Sequence, residues 1–427
     1  MSSTAPAEVR PIAAAAPEVP PEPAVLDEQA APRQRPLWQY GLILGLLTAM
    51  GAFGIDAYLP AFPAIAGHFA VPEGRVQLSL VSYFVALALG QLVYGPVSDR
   101  IGRRGPLLFG FSLFSLAAVG CAFAPSIGVL IALRFVQGIG ACAGMVLGRA
   151  IVRDVSSGER AAKLFSLMIL VLGVSPILAP MYGSLVIAYL PWQAIFWSMG
   201  GLGLACLALI LLTLEETNPA QRRGGASLGR AFAKYGSLLK NRTFVGTALI
   251  GGFSQGCVFA YLAGSPFVFI DLHGVSPTIY SLLFALNASA LVLAAQTNVF
   301  LLRKLGASRL VFTASAAQTL ATAALVVATL VHVDSVVVTA ALLFITLGCH
   351  GILGPTTSLL AIEPFPESAG AASSLMGSLQ FGVGAISSGL VSLFANGTST
   401  PMAGVICGCA ATALLLYFLT LRSRDAR

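Results

Sequence analysis

Long apolar runs separated by short polar stretches fill most of the chain. About 20 apolar residues are needed for a helix to cross the hydrocarbon core of a bilayer, and the apolar runs recur at that length. Because a backbone inside lipid must satisfy its own hydrogen bonds, such runs predict transmembrane helices. The twelve predicted spans are 38–60, 77–97, 105–124, 127–149, 163–187, 193–213, 244–270, 277–301, 308–331, 336–359, 369–394 and 402–421.

The longest polar connection separates the first six spans from the last six. This arrangement is typical of transporters built from two repeated halves, which hold the substrate between them near the bilayer midplane. Gly102 after the second span and Gly306 after the eighth also follow similar basic sequences, a trace of duplication. We therefore predict an all-α membrane protein with two pseudo-symmetric six-helix halves, comprising a first half at 37–214, a central cytoplasmic loop at 215–242 and a second half at 243–421.

The two ends of the chain differ from the spans. Residues 1–36 are rich in Ala, Pro and Glu and have no periodic apolar face. Such a composition cannot bury enough surface to offset ordering entropy, so this segment is predicted to be a disordered cytoplasmic tail. It lacks the basic start and apolar core of a signal peptide. A second short cytoplasmic tail is predicted at 422–427.

Composition and charge agree with a membrane protein. The chain is 57% hydrophobic and 10% charged, whereas soluble domains carry about 25% charged residues. With both termini cytoplasmic, Arg75 and Arg134 are the only basic residues that fall outside the cytoplasmic segments, as the positive-inside rule requires. The net charge of +7 thus reflects topology, and no nucleic-acid partner is predicted. The seven cysteines lie in apolar runs without metal-ligand spacing and are interpreted as packing residues.

A glycine-rich basic segment follows the second span. Its residues suit a gate, because glycine allows close helix approach, Asp99 can meet a helix dipole or an arginine, and the arginines suit the headgroup zone. We expect the segment to hold the two halves together at the cytoplasmic side and to release them when they rock; the alternative is that its basic residues only set topology. The predicted gate residues are Gly95, Asp99, Arg100, Gly102, Arg103 and Arg104.

Two charges lie within predicted spans. Asp56 is the one carboxylate placed clearly inside a span and Arg134 the one arginine, and charges at that depth are functional candidates. Their predicted depths differ by only about 5 Å. We expect Arg134 to hold Asp56 ionised when near it and to favour its protonation on withdrawing. This pair would form a proton switch; a purely structural ion pair is the alternative.

Glycine and proline mark spans four and five. Gly140, Gly144 and Gly148 recur every fourth residue, which predicts close helix packing. In span five, Pro176 and Pro180 precede Gly183 and Ser184, and the two prolines should bend the helix and loosen its hydrogen bonds.

Several of these segments resemble known transporters. Gly95 to Arg104 resembles the loop signature G-x-x-x-D-R-x-G-R-R of the major facilitator superfamily and matches every defined position. The segment around Arg134 resembles that superfamily's span-four signature, which is tied to proton coupling, and the proline segment partly matches its antiporter motif, with Pro176, Pro180 and Gly183 in place. Ala179 and Ser184 replace two of the motif's glycines.

The chain resembles the Bcr/CflA group of drug exporters more closely still. The segments that carry this likeness begin at Asp56, Trp192, Ser265, Phe284 and Gly370, and it extends over roughly residues 38 to 421. The resemblance implies export of small antibiotics in exchange for protons through a bacterial inner membrane. It also implies a monomer driven by the proton gradient, without a cofactor.

Polar and aromatic residues within the spans are candidates for the substrate cavity, because apolar walls with a few polar groups suit hydrophobic ligands. His350 is interpreted as a helix-to-helix hydrogen bonder. The cavity candidates are Tyr58, Tyr83, Gln137, Phe253, Gln255, Tyr261, Asn287 and Gln380.

The sequence argues against several other functional classes. The chain has no Gly-x-x-x-x-Gly-Lys-Ser/Thr run, which excludes a primary ATP-driven pump in this chain alone. An enzyme is not predicted, since no Ser/His or His/Asp constellation lies at membrane depth. A passive channel would not need paired charges or a gate. A metabolite exporter or importer of the same fold stays open as the alternative. One titrating carboxylate indicates about one proton per cycle, which favours neutral or monocationic substrates.

Overall fold

The computed structural model describes residues 36–220 and 228–421. The predicted tails at 1–36 and 422–427 fall outside these ranges, apart from Pro36. Fourteen α-helices occupy the described residues, and twelve segments among them are long and apolar enough to cross a membrane. In chain order the helices are α1 (Leu37–Asp56), α2 (Phe62–Phe69), α3 (Glu73–Ile101), α4 (Arg104–Ala122), α5 (Ile127–Val155), α6 (Gly158–Tyr189), α7 (Gln193–Thr213), α8 (Leu228–Lys240), α9 (Arg242–Pro266), α10 (Pro277–Leu305), α11 (Ala307–Leu330), α12 (Val336–Ile362), α13 (Ala369–Leu393) and α14 (Thr400–Thr420).

The predicted fold class is confirmed. Leaving out α2 and the linker helix α8, each half contributes six membrane helices, and the same pairs pack in both halves: α3 with α5 and α10 with α12, or α4 with α7 and α11 with α14. Between the halves, α3 packs along α13 and α6 packs along α10, which are again equivalent pairs. The interface between the halves therefore follows two helix pairs related by the internal repeat.

Six of the twelve membrane helices described are longer than the predicted spans. The fifth span, predicted at 163–187, is α6 at Gly158–Tyr189, and the second is α3 at Glu73–Ile101. The first span differs in kind, because α1 ends at Asp56 and not near Pro60. A short 3-10 turn at Leu59–Ala61 and helix α2 follow. Pro60 and Pro63 lack backbone N–H groups and cannot continue the hydrogen bonding of α1, so the chain restarts as a new helix.

The glycines of span four pack as predicted. A Cβ atom at Gly144 would overlap the carbonyl oxygen of Leu47 in α1, and one at Gly140 would lie 2.5 Å from the carbonyl oxygen of Gly110 in α4. Only glycine permits this approach of α5 to both neighbours. The glycine face thus fixes the position of Arg134, which lies on the same helix.

The amphipathic helix α8 lies in the predicted central loop. Its Tyr235 and Leu238 are buried against Ala372, Leu375 and other apolar residues of the second half. All seven cysteines are free thiols within described helices, and all but Cys407 are buried, which agrees with a packing role.

Candidate transport site

Asp56 is the last residue of α1 and is 5% exposed. Within residues 36–220 and 228–421, its carboxylate has no hydrogen bond and no ion pair. The carbonyl end of a helix also carries partial negative charge. A buried carboxylate in such surroundings is costly to keep ionised, which makes this position suited to exchanging a proton.

Arg134 in α5 is completely buried, and it is not held by Asp56. Its guanidinium carbon lies 4.2 Å from the ring centroid of Tyr58 and 4.2 Å from that of Tyr83. Nη1 donates to Oε1 of Gln137 at 2.6 Å, and Nη2 donates to the carbonyl oxygen of Gly54 at 2.8 Å. Two aromatic faces and two oxygens therefore stabilise the cation.

The structure does not show Asp56 paired with Arg134. No ion pair joins them within the described part of the chain. Arg134 reaches α1 at Gly54, two residues before Asp56, and two residues are roughly 200° apart around a helix. Similar depth in the bundle therefore does not bring the two charges together. Their roles in proton coupling stay a prediction.

The Asp56 carboxylate is within electrostatic range of tyrosine hydroxyls in both halves. These belong to Tyr83 of α3 in the first half and to Tyr261 of α9 and Tyr280 of α10 in the second. The Tyr261 hydroxyl accepts from Nδ2 of Asn287 at 3.4 Å, and the hydroxyls of Tyr280 and Ser265 lie 3.0 Å apart. Asp56 thus faces polar aromatic groups across the interface between the halves.

The structure divides the predicted cavity residues into three sets. Tyr58, Tyr83 and Gln137 surround Arg134 in the first half, while Tyr261 and Asn287 form a pair in the second. These five side chains are buried. The third set consists of the half-buried residues Phe253, Gln255 and Gln380.

An aromatic stack that the sequence does not predict joins the two halves. Phe84 of α3 stacks on Phe259 of α9 with ring centroids 4.2 Å apart, and Phe259 stacks on Phe381 of α13 at 5.4 Å. These rings connect the two halves near the middle of the bundle. Each lies in an ordinary apolar run, so nothing in the sequence distinguishes it from a lipid-facing phenylalanine.

His350 was interpreted as a helix-to-helix hydrogen bonder, and this is confirmed. Its Nδ1 lies 3.0 Å from the Ser254 hydroxyl, which joins α12 to α9. Within the described ranges no group of three or more His, Cys, Asp or Glu side chains could hold a metal ion.

Three of the predicted gate residues, Asp99, Arg103 and Arg104, belong to a bonded cluster at one end of the bundle. Arg103 contacts Asp99 at 2.5 Å and Asp154 of α5 at 2.8 Å, and its Nη1 also donates to Ser98 at 2.6 Å. The backbone N–H of Arg103 donates to Oε1 of Glu216 at 2.8 Å. We call the end of the bundle that carries this cluster and the α5–α6 connection the basic end.

The partners of the cluster show what it joins. Asp154 belongs to the first half and Glu216 to the start of the central loop directly after α7, so these bonds brace the first half and do not cross to the second. Contact with the second half is made by Gly95, where an added Cβ would lie 3.2 Å from the Ser374 hydroxyl of α13. Arg100 and Arg104 lie at the same end, and Arg104 donates to the carbonyl oxygen of Leu211 at 2.9 Å. The sequence does not predict Asp154 and Glu216 as partners of Arg103, because both lie far from Arg103 along the chain.

The proline segment of α6 lies beside Asp56. The carbonyl oxygen of Pro180 accepts from the Ser281 hydroxyl of α10 at 2.8 Å. At Gly183, a Cβ atom would overlap the carbonyl oxygen of Ala57, the residue after Asp56. Pro176 lies one turn further along α6, so this segment brings α6 against both the end of α1 and the second half.

Twelve membrane-length helices in two equivalent halves, with buried polar groups between them, define a multi-pass membrane transporter. The chain belongs to the major facilitator superfamily: residues 43–388 match the Major Facilitator Superfamily. The resemblance seen in the sequence motifs is thereby confirmed.

Named relatives cover nearly the whole chain. It is 39% identical over 390 residues to the uncharacterized MFS-type transporter YdgK of Bacillus subtilis, covering 90% of this chain and 95% of the relative. It is 31% identical to the bicyclomycin resistance protein homolog of Haemophilus influenzae, covering 92% of this chain and 99% of the relative. Identity to the multidrug resistance protein MdtL of Escherichia coli is also 31%, covering 87% and 93%.

A solved structure shares the fold. The xylose transporter XylE of Escherichia coli, in a partially occluded inward-open conformation, aligns with a TM-score of 0.70 and 14% identity, covering 90% of this chain and 97% of XylE. At this identity the likeness shows the fold alone.

Proposed function

We propose that the protein exports small, largely apolar antibiotics from the bacterial cytoplasm across the inner membrane in exchange for protons. The basic end and both termini face the cytoplasm, as the distribution of Lys and Arg indicates. Support for drugs as substrates comes from relatives named for bicyclomycin and multidrug resistance, which match nearly the whole chain. The protein works as a transporter and not as an enzyme.

Proton coupling rests on the surroundings of Asp56. A buried carboxylate without an ion pair, at the interface between two halves, can take a proton from one side of the membrane and release it on the other when the halves rock. Arg134 is not a direct ion-pair partner of Asp56. It donates a hydrogen bond to the Gly54 carbonyl oxygen near the end of α1 and places a positive charge near that helix end. Asp56 is therefore the proposed proton carrier, and Arg134 positions the end of α1.

The test is growth inhibition of an efflux-deficient bacterium that expresses the wild type, Asp56→Asn or Glu159→Gln. The panel contains bicyclomycin, a phenicol, a sulfonamide, a fluoroquinolone and a lipophilic cation. We expect the wild type to protect and Asp56→Asn, at equal abundance, to fail. Glu159→Gln is the matched control, because this carboxylate is 84% exposed and pairs only with Lys163 at the surface.

Each outcome has a distinct meaning. Protection that survives Asp56→Asn would keep drug export and refute Asp56 as the carrier. An absence of protection against every compound, with the protein present in the membrane, would favour the alternative of a metabolite transporter of the same fold. Everted vesicles with a pH-sensitive dye give the direct readout, since a transported drug should release protons from the vesicle lumen only when Asp56 is intact.

A further inference from the structure

A cavity of about 450 Å³ opens at the basic end between the two halves. Its walls come from α3 and α5 of the first half, the linker helix α8, and the start of α13 in the second half. This volume is in the range that holds a small organic molecule. The cavity is separate from the buried groups around Asp56 and Arg134, which do not line it.

Its lining is strongly basic. Arg149 and Arg153 lie one turn apart on α5, and Arg230 and Lys234 lie one turn apart on α8. Like charges at this spacing repel each other. A fifth cation, Arg103, is already neutralised by Asp99 and Asp154.

Little negative charge opposes these side chains. Apart from Asp99, Glu367 is the acid in the cavity wall. Among the described residues, neither Arg153 nor Lys234 has an ion pair, and Arg149 donates its Nε only to the carbonyl oxygen of Met145 on its own helix. Within the described part of the chain, Arg149, Arg153 and Lys234 therefore face the cavity without a carboxylate partner.

The start of α13 adds to this field. Ser368, Gly370 and Ala371 line the cavity, and the Ser368 side chain makes no capping hydrogen bond to the first turn. A helix start presents free N–H groups and partial positive charge. Arg153 approaches the same point, because its Nη1 lies 3.7 Å from the position a Cβ would take at Gly370.

Tyr235 closes the cavity on one side. Its hydroxyl donates to the carbonyl oxygen of Leu92 in α3 at 3.2 Å, and Ser374 of α13 lines the same cavity. Burial raises the pKa of Tyr235 to about 12, so the hydroxyl stays a neutral donor at physiological pH. A ligand here would contact α8 and both halves together.

We propose that this cavity binds the oxyanion group, a carboxylate or a phosphate, of a small amphiphile. The oxyanion would lie between Arg149 and Arg153 and face Lys234, with backbone N–H groups of α13 as further donors. The inference rests on the proposed function in one respect: in an exporter whose basic end faces the cytoplasm, a substrate enters here. Acidic drugs would then be attracted, which adds a substrate class to the neutral or monocationic compounds that a single titrating carboxylate favours. The same chemistry is offered by the headgroup of an anionic phospholipid.

Binding to the purified full-length protein in neutral detergent tests the proposal. The probes are naphthoate with its neutral analogue naphthamide, and dihexanoyl phosphatidylglycerol with dihexanoyl phosphatidylcholine. We expect at least one anion to bind more tightly than its matched control and to weaken as salt rises. The double variant Arg149→Gln/Arg153→Gln should weaken that binding by roughly tenfold or more, because hydrogen bonds to charged groups contribute about that factor.

Two further variants guard against misfolding as an explanation. Lys304→Gln removes an exposed cation of the basic end that does not line the cavity, and it should leave binding unchanged. Glu367→Gln removes the opposing acid and should tighten binding roughly two- to fivefold. A loss in the double variant together with a gain in Glu367→Gln cannot come from general instability.

The outcomes separate the sources of the ligand. Naphthoate binding with this arginine dependence supports a soluble acidic substrate, and binding of phosphatidylglycerol alone supports a lipid headgroup. The proposal is refuted if neither anion binds more tightly than its neutral or zwitterionic control. It is also refuted if the Arg149→Gln/Arg153→Gln variant binds both anions as tightly as the wild type does. Because the assay needs no gradient, it is independent of drug protection: anion binding without protection would overturn the export function and leave the site standing.

Discussion

Arg134 shows how a buried charge is stabilised in this bundle without an opposite charge. Its planar guanidinium fits between the rings of Tyr58 and Tyr83 and still reaches Gly54 and Gln137. Lysine carries the same charge on a single compact ammonium group, which cannot stack on two faces while donating in two directions. The shape of the side chain therefore matters here as much as its charge.

Replacing Arg134 by lysine should for this reason destabilise the protein. We expect Arg134→Lys to lower the free energy of unfolding by about 2 kcal/mol or more, the value of a desolvated cation–π contact, and to abolish drug protection. The thermal unfolding midpoint of the purified protein gives the stability. Arg75→Lys is the control, since Arg75 is exposed and should change neither quantity. An unaltered midpoint for Arg134→Lys would contradict the stacking account.

The limits of sequence reasoning are clear at this scale. The unusual depth of Asp56 and Arg134 follows from the apolar runs around them, and both are buried as expected. The directions in which their side chains point cannot be predicted, because one sequence does not reveal which face of a helix points inward. Arg103 gives a second case: its motif is recognisable, but Asp154 and Glu216 reach it only through the packing of α3, α5 and the segment after α7.

At the scale of elements, glycine decides where helices can cross. Gly183 lets α6 touch the chain at Ala57, directly after the proposed proton carrier. The neighbouring prolines weaken the hydrogen bonding of α6 in the same region. Small shifts of α6 would therefore be transmitted to the end of α1.

A matched pair of glycine substitutions tests this contact. We expect Gly183→Ala to reduce drug protection and lower the unfolding midpoint, because its methyl group would overlap the Ala57 carbonyl oxygen. Gly201→Ala in α7 meets no atom within 4 Å and should be neutral or stabilising by up to about 1 kcal/mol through helix propensity. Equal effects of the two substitutions would show that the crossing is not as tight as described.

The elements themselves were largely predictable. Twelve spans follow from apolar length alone, since the bilayer permits few alternatives to a helix. The break after Asp56 was missed because the run continues to be apolar beyond it, although Pro60 and Pro63 are a signal that could have placed it. Helix α8 was missed because its polar and apolar residues alternate at helical spacing inside a stretch treated only as a connection.

At the scale of the whole molecule, α3 and α13 hold the two halves together from end to end. At the basic end Gly95 faces Ser374, and at the opposite end the Ser392 hydroxyl donates to the carbonyl oxygen of Gly74 at 2.6 Å. Alternating access by rocking halves requires these two contacts to open in turn and not together. The structure thus offers one reporter position at each end of the same helix pair.

Cysteine pairs at these positions test the rocking motion directly. Gly95→Cys/Ser374→Cys reports the basic end and Gly74→Cys/Ser392→Cys the opposite end, each in a background without the seven native cysteines. We expect a short thiol crosslinker to stop transport in either double variant and a reductant to restore it, if the crosslink is cleavable. The matching single-cysteine variants should stay active throughout.

The decisive measurement compares crosslinking yield at the two ends while an imposed pH gradient or a transported drug is varied. Rocking about a site near the midplane predicts opposite changes, because opening one end of the α3–α13 pair brings the other end together. Yields that rise and fall together would contradict rocking and indicate that the pair separates as a whole. Asp56→Asn refines the result: if this carboxylate couples the proton to the motion, the drug should still shift the yields in that variant, but the pH gradient should not.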